Sequence, residues 1–256
     1  MNIFPKLALP KKMVKPVKPL TGRPGDAVQA LMDPQSALAE AFRTVRTNLQ
    51  FAAVEQKRKS ILVTSAAPGE GKSTTTANLG VTMTQAGLRV LLVDSDLRRS
   101  TLHKIFTLPN TAGLTTVLTG QTPLASTTQA TRLPKLFVLT SGPTPPNPAE
   151  MLMSSAMADL SRKVEADFDL VLYDSPPIIS VADALVLAGL LESVLLVVRA
   201  GGYPQELINQ AKTQIEGVKA KILGILLNSV DFKRDGYYYR YYYYYYYGYG
   251  YGDGRK

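Results

Sequence analysis

The sequence predicts an α/β fold, a parallel sheet with helices on both faces, and three observations carry that prediction. Short, continuous apolar runs alternate with helix-length segments along most of the chain, as expected of strands buried on both faces and joined by crossover helices. One apolar run leads into a glycine-rich segment ending Gly71-Lys72-Ser73, which opens a helical pattern. Two further runs end on aspartate, at Asp94 and Asp174, where ligands of open parallel sheets gather.

Composition sets the outer bounds. The 256 residues suffice for one large domain with a buried core. The absence of cysteine excludes disulfides, thiolate metal sites and a cysteine nucleophile. Lysine and arginine exceed aspartate and glutamate by 29 − 20 = 9. Six of the basic residues, Lys6, Lys11, Lys12, Lys15, Lys18 and Arg23, precede the first acid, Asp26. Residues 1–32 therefore read as a disordered basic arm, open to an anionic lipid surface, to nucleic acid or to solvent alone. No run of about 18 uninterrupted apolar residues exists. The nearest candidate, 184–198, is broken by Glu192 and Ser193 and reads as a helix end followed by a strand. The basic start lacks the apolar stretch of a secretory signal.

In chain order, a helix is expected over 34–54, because Leu38, Phe42, Val45 and Leu49 recur at helical spacing and Asp33-Pro34 suits its first positions. Strands are expected at 60–64, 89–93, 135–140, 170–173, 193–198 and 222–227. Helices are expected at 71–85, 149–164, 181–190 and 204–218. Residues 33–235 form the predicted domain. From Gly236 onward the chain is low in complexity, and 236–256 reads as a flexible tail. Twelve of the 14 tyrosines lie there: Tyr237, Tyr238, Tyr239, Tyr241, Tyr242, Tyr243, Tyr244, Tyr245, Tyr246, Tyr247, Tyr249 and Tyr251.

The segment Ala66-Ala67-Pro68-Gly69-Glu70-Gly71-Lys72-Ser73, followed by Thr74, sits between a strand and a helix, the setting of a phosphate-binding loop. Glycines let backbone amides turn inward, and the helix start adds positive potential. Lys72 can reach the β and γ phosphates of ATP, and the Ser73 hydroxyl can ligate Mg²⁺. The first glycine of the usual pattern is Ala66 here. Asp94-Ser95-Asp96-Leu97-Arg98 places two carboxylates at the end of a buried strand, costly to desolvate without nearby cations; two loop acids capping the next segment is the plainer alternative. Tyr173-Asp174-Ser175-Pro176-Pro177 supplies the acid that stands near Mg²⁺ in such folds. The lone His103 has no ligand-type neighbours at metal-binding spacing and reads as structural.

Together these motifs resemble the bacterial tyrosine kinases, P-loop NTPases of the deviant Walker type tied to capsule and exopolysaccharide production. The likeness runs from about Asp33 to Asp231, takes in residues 113–118 and 145–152, and resumes in the tyrosine cluster. It implies that Asp94 accepts the proton of the attacking tyrosine, and that Asp96 and Asp174 organise Mg²⁺ with Ser73. It further implies that Arg98 holds the second motif and that Asn228 contacts adenine. Pro68, Gly69, Glu70, Gly71, Lys72, Ser73 and Thr74 would form the ATP cradle. Glu40, Arg43 and Arg46 resemble a family motif linking neighbours in a ring, beside the alternative of a solvated charged face. The implied activity is autophosphorylation of the tail tyrosines with Mg-ATP in the control of polysaccharide synthesis and export. The implied partners are other copies in a homo-oligomeric ring, a membrane activator of the polysaccharide co-polymerase type and a cognate tyrosine phosphatase, with no nucleic acid. The implied location is cytoplasmic, at the inner face of the cell membrane through a partner. The rival reading is an ATPase switch of the partitioning or division-positioning type. Those proteins usually carry an extra lysine early in the loop, which Ala66-Ala67-Pro68 lacks.

Overall fold

The computed structural model describes residues 28, 35–54, 59–191 and 193–230. The basic arm apart from Val28, the pair Asp33-Pro34, residues 231–235 and the tyrosine tail lie outside the described residues.

Helix α1 (Ala37–Val54) opens the domain. The Ser36 hydroxyl accepts a hydrogen bond from the Ala39 amide at 3.1 Å, capping its first turn. Then follow β1 (Ser60–Ser65), α2 (Lys72–Gln85), β2 (Val90–Asp94), α3 (Leu102–Phe106), α4 (Leu114–Leu118), α5 (Leu124–Thr127), β3 (Gln129–Ala130), β4 (Leu136–Leu139), α6 (Pro148–Met153), α7 (Ser155–Asp167), β5 (Leu170–Asp174), α8 (Asp183–Leu191), β6 (Ser193–Arg199), α9 (Gln205–Gly217) and β7 (Lys221–Asn228). The sheet order is β3-β4-β2-β5-β1-β6-β7. All pairings are parallel except that of β3 with β4, so the predicted parallel sheet carries one short antiparallel edge strand.

Every residue of β1, β2 and β5 is buried, including the polar Ser60, Thr64 and Ser65 that flank the apolar run 61–63 of β1. Alternate strand residues feed two cores, one on each face of the sheet. Leu62, Leu91, Val93, Val171, Tyr173 and Leu196 pack with residues of α7, α8 and α9. Ile61, Val63, Leu92, Leu172 and Val197 pack with α1, α2 and α3. Phe42 and Leu49 of the predicted α1 stripe are buried, and Leu38 and Val45 are partly buried against them.

One expectation needs correcting. The single helix predicted over 149–164 is two helices. At Ser154 the backbone is extended (φ −67°, ψ 155°), and the Ser154 hydroxyl accepts a bond from the Met157 amide. A serine that can cap a new helix competes with continuation of the old one. Among the described residues no helix is long and apolar enough to cross a membrane.

Candidate nucleotide and acid site

The loop between β1 and α2 lies at the carboxyl end of β1, the strand beside the central β5. Gly71 is the N-cap of α2, with φ +90° in the left-handed region. A Cβ there would stand 2.1 Å from Asn228 Nδ2, so both conformation and space require glycine. Lys72, the first residue of α2, is buried.

Three side chains tie this loop to the neighbouring strand ends. The buried Glu70 carboxylate accepts from the Ala67 amide at 2.8 Å within the loop and from the Arg199 amide at 3.1 Å at the end of β6. The Asn228 Nδ2 group, at the end of β7, donates to the Glu70 carbonyl at 2.9 Å, while its Oδ1 accepts from the Ser229 amide at 2.8 Å. The Tyr203 hydroxyl donates to the Pro68 carbonyl at 3.1 Å. Glu70 and Asn228, expected to touch nucleotide, thus hold the loop's shape. Arg199 and Tyr203 were not singled out in the sequence.

The acids occupy the opposite flank. Asp94 and Asp174 are register partners across β2 and β5. Asp94 Oδ2 accepts from the amides of Thr101 (3.0 Å) and Leu102 (2.9 Å), but its buried Oδ1 has no partner. Both Asp174 oxygens are buried without one. Burial, with the charge of Asp174 opposite, pushes the Asp94 carboxyl well above the ordinary range. Burial likewise raises Asp174 to about 7, although the Ser73 hydroxyl and the Lys72 ammonium pull it back. Asp96, also buried, accepts from the Arg99 amide at 2.9 Å.

The acid-bearing segments are stitched together. The Ser95 amide and hydroxyl both donate to the Asp174 carbonyl, at 2.8 and 2.5 Å. The Thr64 hydroxyl donates to the Pro176 carbonyl at 2.9 Å. Arg98 makes a two-pronged pair with the buried Asp183 at the start of α8, Nε to Oδ2 at 2.9 Å and Nη2 to Oδ1 at 3.0 Å, which raises the guanidinium's pKa further. Asp183 was missed because nothing local marks a partner 85 positions away.

Three buried carboxylate oxygens that make no hydrogen bond of ordinary geometry, with the Ser73 hydroxyl and the buried Lys72 near Asp174, fit a divalent cation carrying polyphosphate. Among the described residues no three His, Cys, Asp or Glu side chains are arranged to hold a metal unaided. Mg²⁺ takes one or two carboxylates, which the unpartnered oxygens of Asp94 and Asp174 can serve, and fills its remaining positions with phosphate and water.

Glu40, Arg43 and Arg46 lie on α1 away from this site. Arg43 Nη1 pairs with Glu40 Oε2 at 2.6 Å, and Arg46 Nη1 donates to the Thr82 carbonyl of α2 at 3.1 Å.

A phosphate loop, a buried lysine and strand-end acids on a largely parallel sheet define a nucleotide-binding protein of the P-loop class, and residues 58–227 match the AAA domain family. The chain is 44% identical over 214 residues to tyrosine-protein kinase YwqD of Bacillus subtilis (strain 168), covering 82% of this chain and 90% of that protein. It is 38% identical over 206 residues to the putative tyrosine-protein kinase CapB of Staphylococcus aureus, covering 80% and 90%. The solved kinase domain of Escherichia coli tyrosine kinase ETK matches with a TM-score of 0.77 and 33% identity, over 82% of this chain and 83% of that one. The chain therefore belongs to the bacterial tyrosine-protein kinases, the P-loop enzymes that phosphorylate protein tyrosine. The septum site-determining protein MinD from Pyrococcus horikoshii OT3, solved with Mg-ADP, shares only the fold, at 22% identity and a TM-score of 0.57 over 66% of this chain and 70% of that one.

Proposed function

We propose that this kinase transfers the γ-phosphoryl group of Mg-ATP to tyrosines of its own C-terminal cluster, and that this controls capsular or exopolysaccharide synthesis and export. The observation that carries the reading is the trio of unpartnered carboxylate oxygens on Asp94 and Asp174, with Lys72 and Ser73 close enough to Asp174 to lower its pKa.

The roles follow from that arrangement. Loop amides of 68–74 and Lys72 bind the phosphates. Ser73, Asp96 and Asp174 hold Mg²⁺, which when bound neutralises the charge developing on the transferred group. Asp94 Oδ2 is occupied by two amides, so Oδ1 is the oxygen left to take the tyrosine proton. Its raised pKa brings it nearer that of a phenol, about 10, which favours proton transfer. Arg98 acts through Asp183 and fixes the loop that bears the acids. Asn228 serves the loop first, and adenine with whatever hydrogen-bonding capacity remains.

From Asp235 to Tyr243 the chain can span at most roughly 30 Å, the scale of a neighbouring subunit. Phosphorylation between subunits of a ring joined through Glu40, Arg43 and Arg46 is therefore geometrically reasonable. Each phosphotyrosine adds about −1.5 to −2, so heavily modified tails repel one another and release the ring. A membrane activator of the polysaccharide co-polymerase type would bring the kinase to the inner face of the membrane, and a tyrosine phosphatase would reset it.

The test incubates the purified chain with Mg-ATP, with and without an activator fragment, and reads phosphotyrosine. Wild type is expected to give signal, Lys72→Met none, and a chain ending at Asp235 a small residue. No signal in wild type under either condition would sink the reading.

A further inference from the structure

We propose that Tyr203 is a phospho-acceptor of this kinase outside the tail, and that its modification loosens the phosphate loop's hold on ATP. The inference rests on the kinase reading above. It concerns the two tyrosines that the cluster leaves out, Tyr173 and Tyr203.

These two are physically opposite. Tyr173 is fully buried, and burial pushes its hydroxyl up to about 12; no second active site can reach it. Tyr203 is 41% exposed on the turn between β6 and α9. Its immediate sequence also matches the tail. The dipeptide Gly-Tyr occurs four times in the chain, at 202–203, 236–237, 248–249 and 250–251. Three of the four lie in the cluster, and the fourth is Tyr203.

The transfer runs between two copies. Across the sheet the order is β2, β5, β1, β6, so the strand that leads into the Tyr203 turn lies three strand spacings, roughly 14 Å, from β2, which ends on Asp94. Its hydroxyl is held on the Pro68 carbonyl of the loop after β1, with β5 between that loop's strand and β2, so the transfer is placed in a second copy's site. In a second copy's site the Tyr203 oxygen bonds to the γ-phosphorus and the bond from that phosphorus to the β–γ bridging oxygen breaks. ADP leaves with the electron pair, and the phenolic proton passes to the carboxylate of Asp94 in that copy and on to solvent.

The product differs from a tail phosphotyrosine in what it touches. Unmodified, the hydroxyl donates to the Pro68 carbonyl at the exposed tip of the loop. A phosphate ester in its dianionic form has no proton to donate, so that tether is lost. It also sets about −1.5 to −2 of charge beside a loop built to hold the phosphates of ATP. The remaining ties, Glu70 to Ala67 and Arg199 and Asn228 to Glu70, keep the loop folded. The expected consequence is weaker ATP binding with the acid site intact, so the kinase slows itself after the acceptors are used.

Trypsin makes the test clean, because the peptide 200–212, bounded by Arg199 and Lys212, contains Tyr203 as its single tyrosine. Full-length wild type and Tyr203→Phe are allowed to autophosphorylate, peptides are mapped by mass, and KM for ATP is measured on each before and after. Phosphate on peptide 200–212 in wild type is expected, together with a rise in KM of roughly threefold or more; Tyr203→Phe should keep its starting KM. Phosphate in the tail with none on peptide 200–212 would overturn the proposal and leave the kinase reading standing. So would a modified Tyr203 with unchanged KM, or an equal rise in Tyr203→Phe. Absence of phosphate anywhere, with an activator fragment added, would overturn both.

Discussion

The two flanks of the phosphate loop are built on opposite terms. On the side of β6 and β7, the polar groups that hold the loop are satisfied: Glu70 has two amide donors, Asn228 uses both ends of its amide, and Tyr203 reaches Pro68. On the side of β2 and β5, two carboxylates face each other in register and keep three buried oxygens unpaired. The first flank gives shape. The second stores an electrostatic cost that only a cation or a proton relieves. Binding sites tend to hold back stability in this way, because groups already satisfied within the protein have nothing left for the ligand.

The largest expected effect comes from removing a charge on the unsatisfied flank. Asp174→Asn should lower the initial rate of phosphotyrosine formation by about a hundredfold or more, since charge placed for the transition state is lost. The same change should raise the melting temperature of the nucleotide-free chain. A variant that is both slower and less stable would mean Asp174 is structural, and the contrast between the flanks would fail.

On the satisfied flank the order reverses. Glu70→Ala removes the acceptor of two amides, each such bond to a charged group being worth about 1.5–3 kcal/mol. Urea denaturation should show a loss of about 3 kcal/mol or more. Arg98→Ala leaves Asp183 buried and unpaired, a change that costs about 3–5 kcal/mol for a fully buried pair. Because the Arg98 side chain is 43% exposed, about 2 kcal/mol is expected, with a rise in KM smaller than the fall in kcat.

A smaller effect appears in pH. Burial raises the folded Asp174 from 3.8 to about 7, so over that interval the folded chain holds a proton that the unfolded chain has lost. Its contribution to stability is full below 3.8 and disappears as pH rises to about 7. The melting temperature of the nucleotide-free wild type should fall between pH 5 and 7 more steeply than that of Asp174→Asn, as calorimetric scans would show. Parallel slopes would remove Asp174 as the source.

Much of this contrast was legible in the sequence. β1, β2 and β5 announce themselves because strands buried on both faces need unbroken apolar runs, and the acids stand at the strand ends where such sheets bind ligands. The satisfied flank was not legible. Asn228 meets Glu70 across 158 positions and Arg199 meets it across 129, and periodicity carries no signal of a hydrogen bond at that range. Glu70 looked like one more loop residue because its setting shows only once β6 lies beside β1. The break at Ser154 was missed for a local reason: 149–164 keeps helical apolar spacing through a serine whose capping bond competes with the helix. The two-residue β3 is too short for any alternation to show.

The central claim is that Mg-nucleotide completes the unsatisfied flank and displaces its proton. Titration calorimetry of a non-hydrolysable Mg-ATP analogue at pH 6, in buffers of different ionisation enthalpy, reads that proton directly. Wild type should release up to about one more proton per site than Asp174→Asn, because at pH 6 a group of pKa about 7 is mostly protonated before binding. Equal proton release by the two proteins, with binding intact in both, would contradict the account.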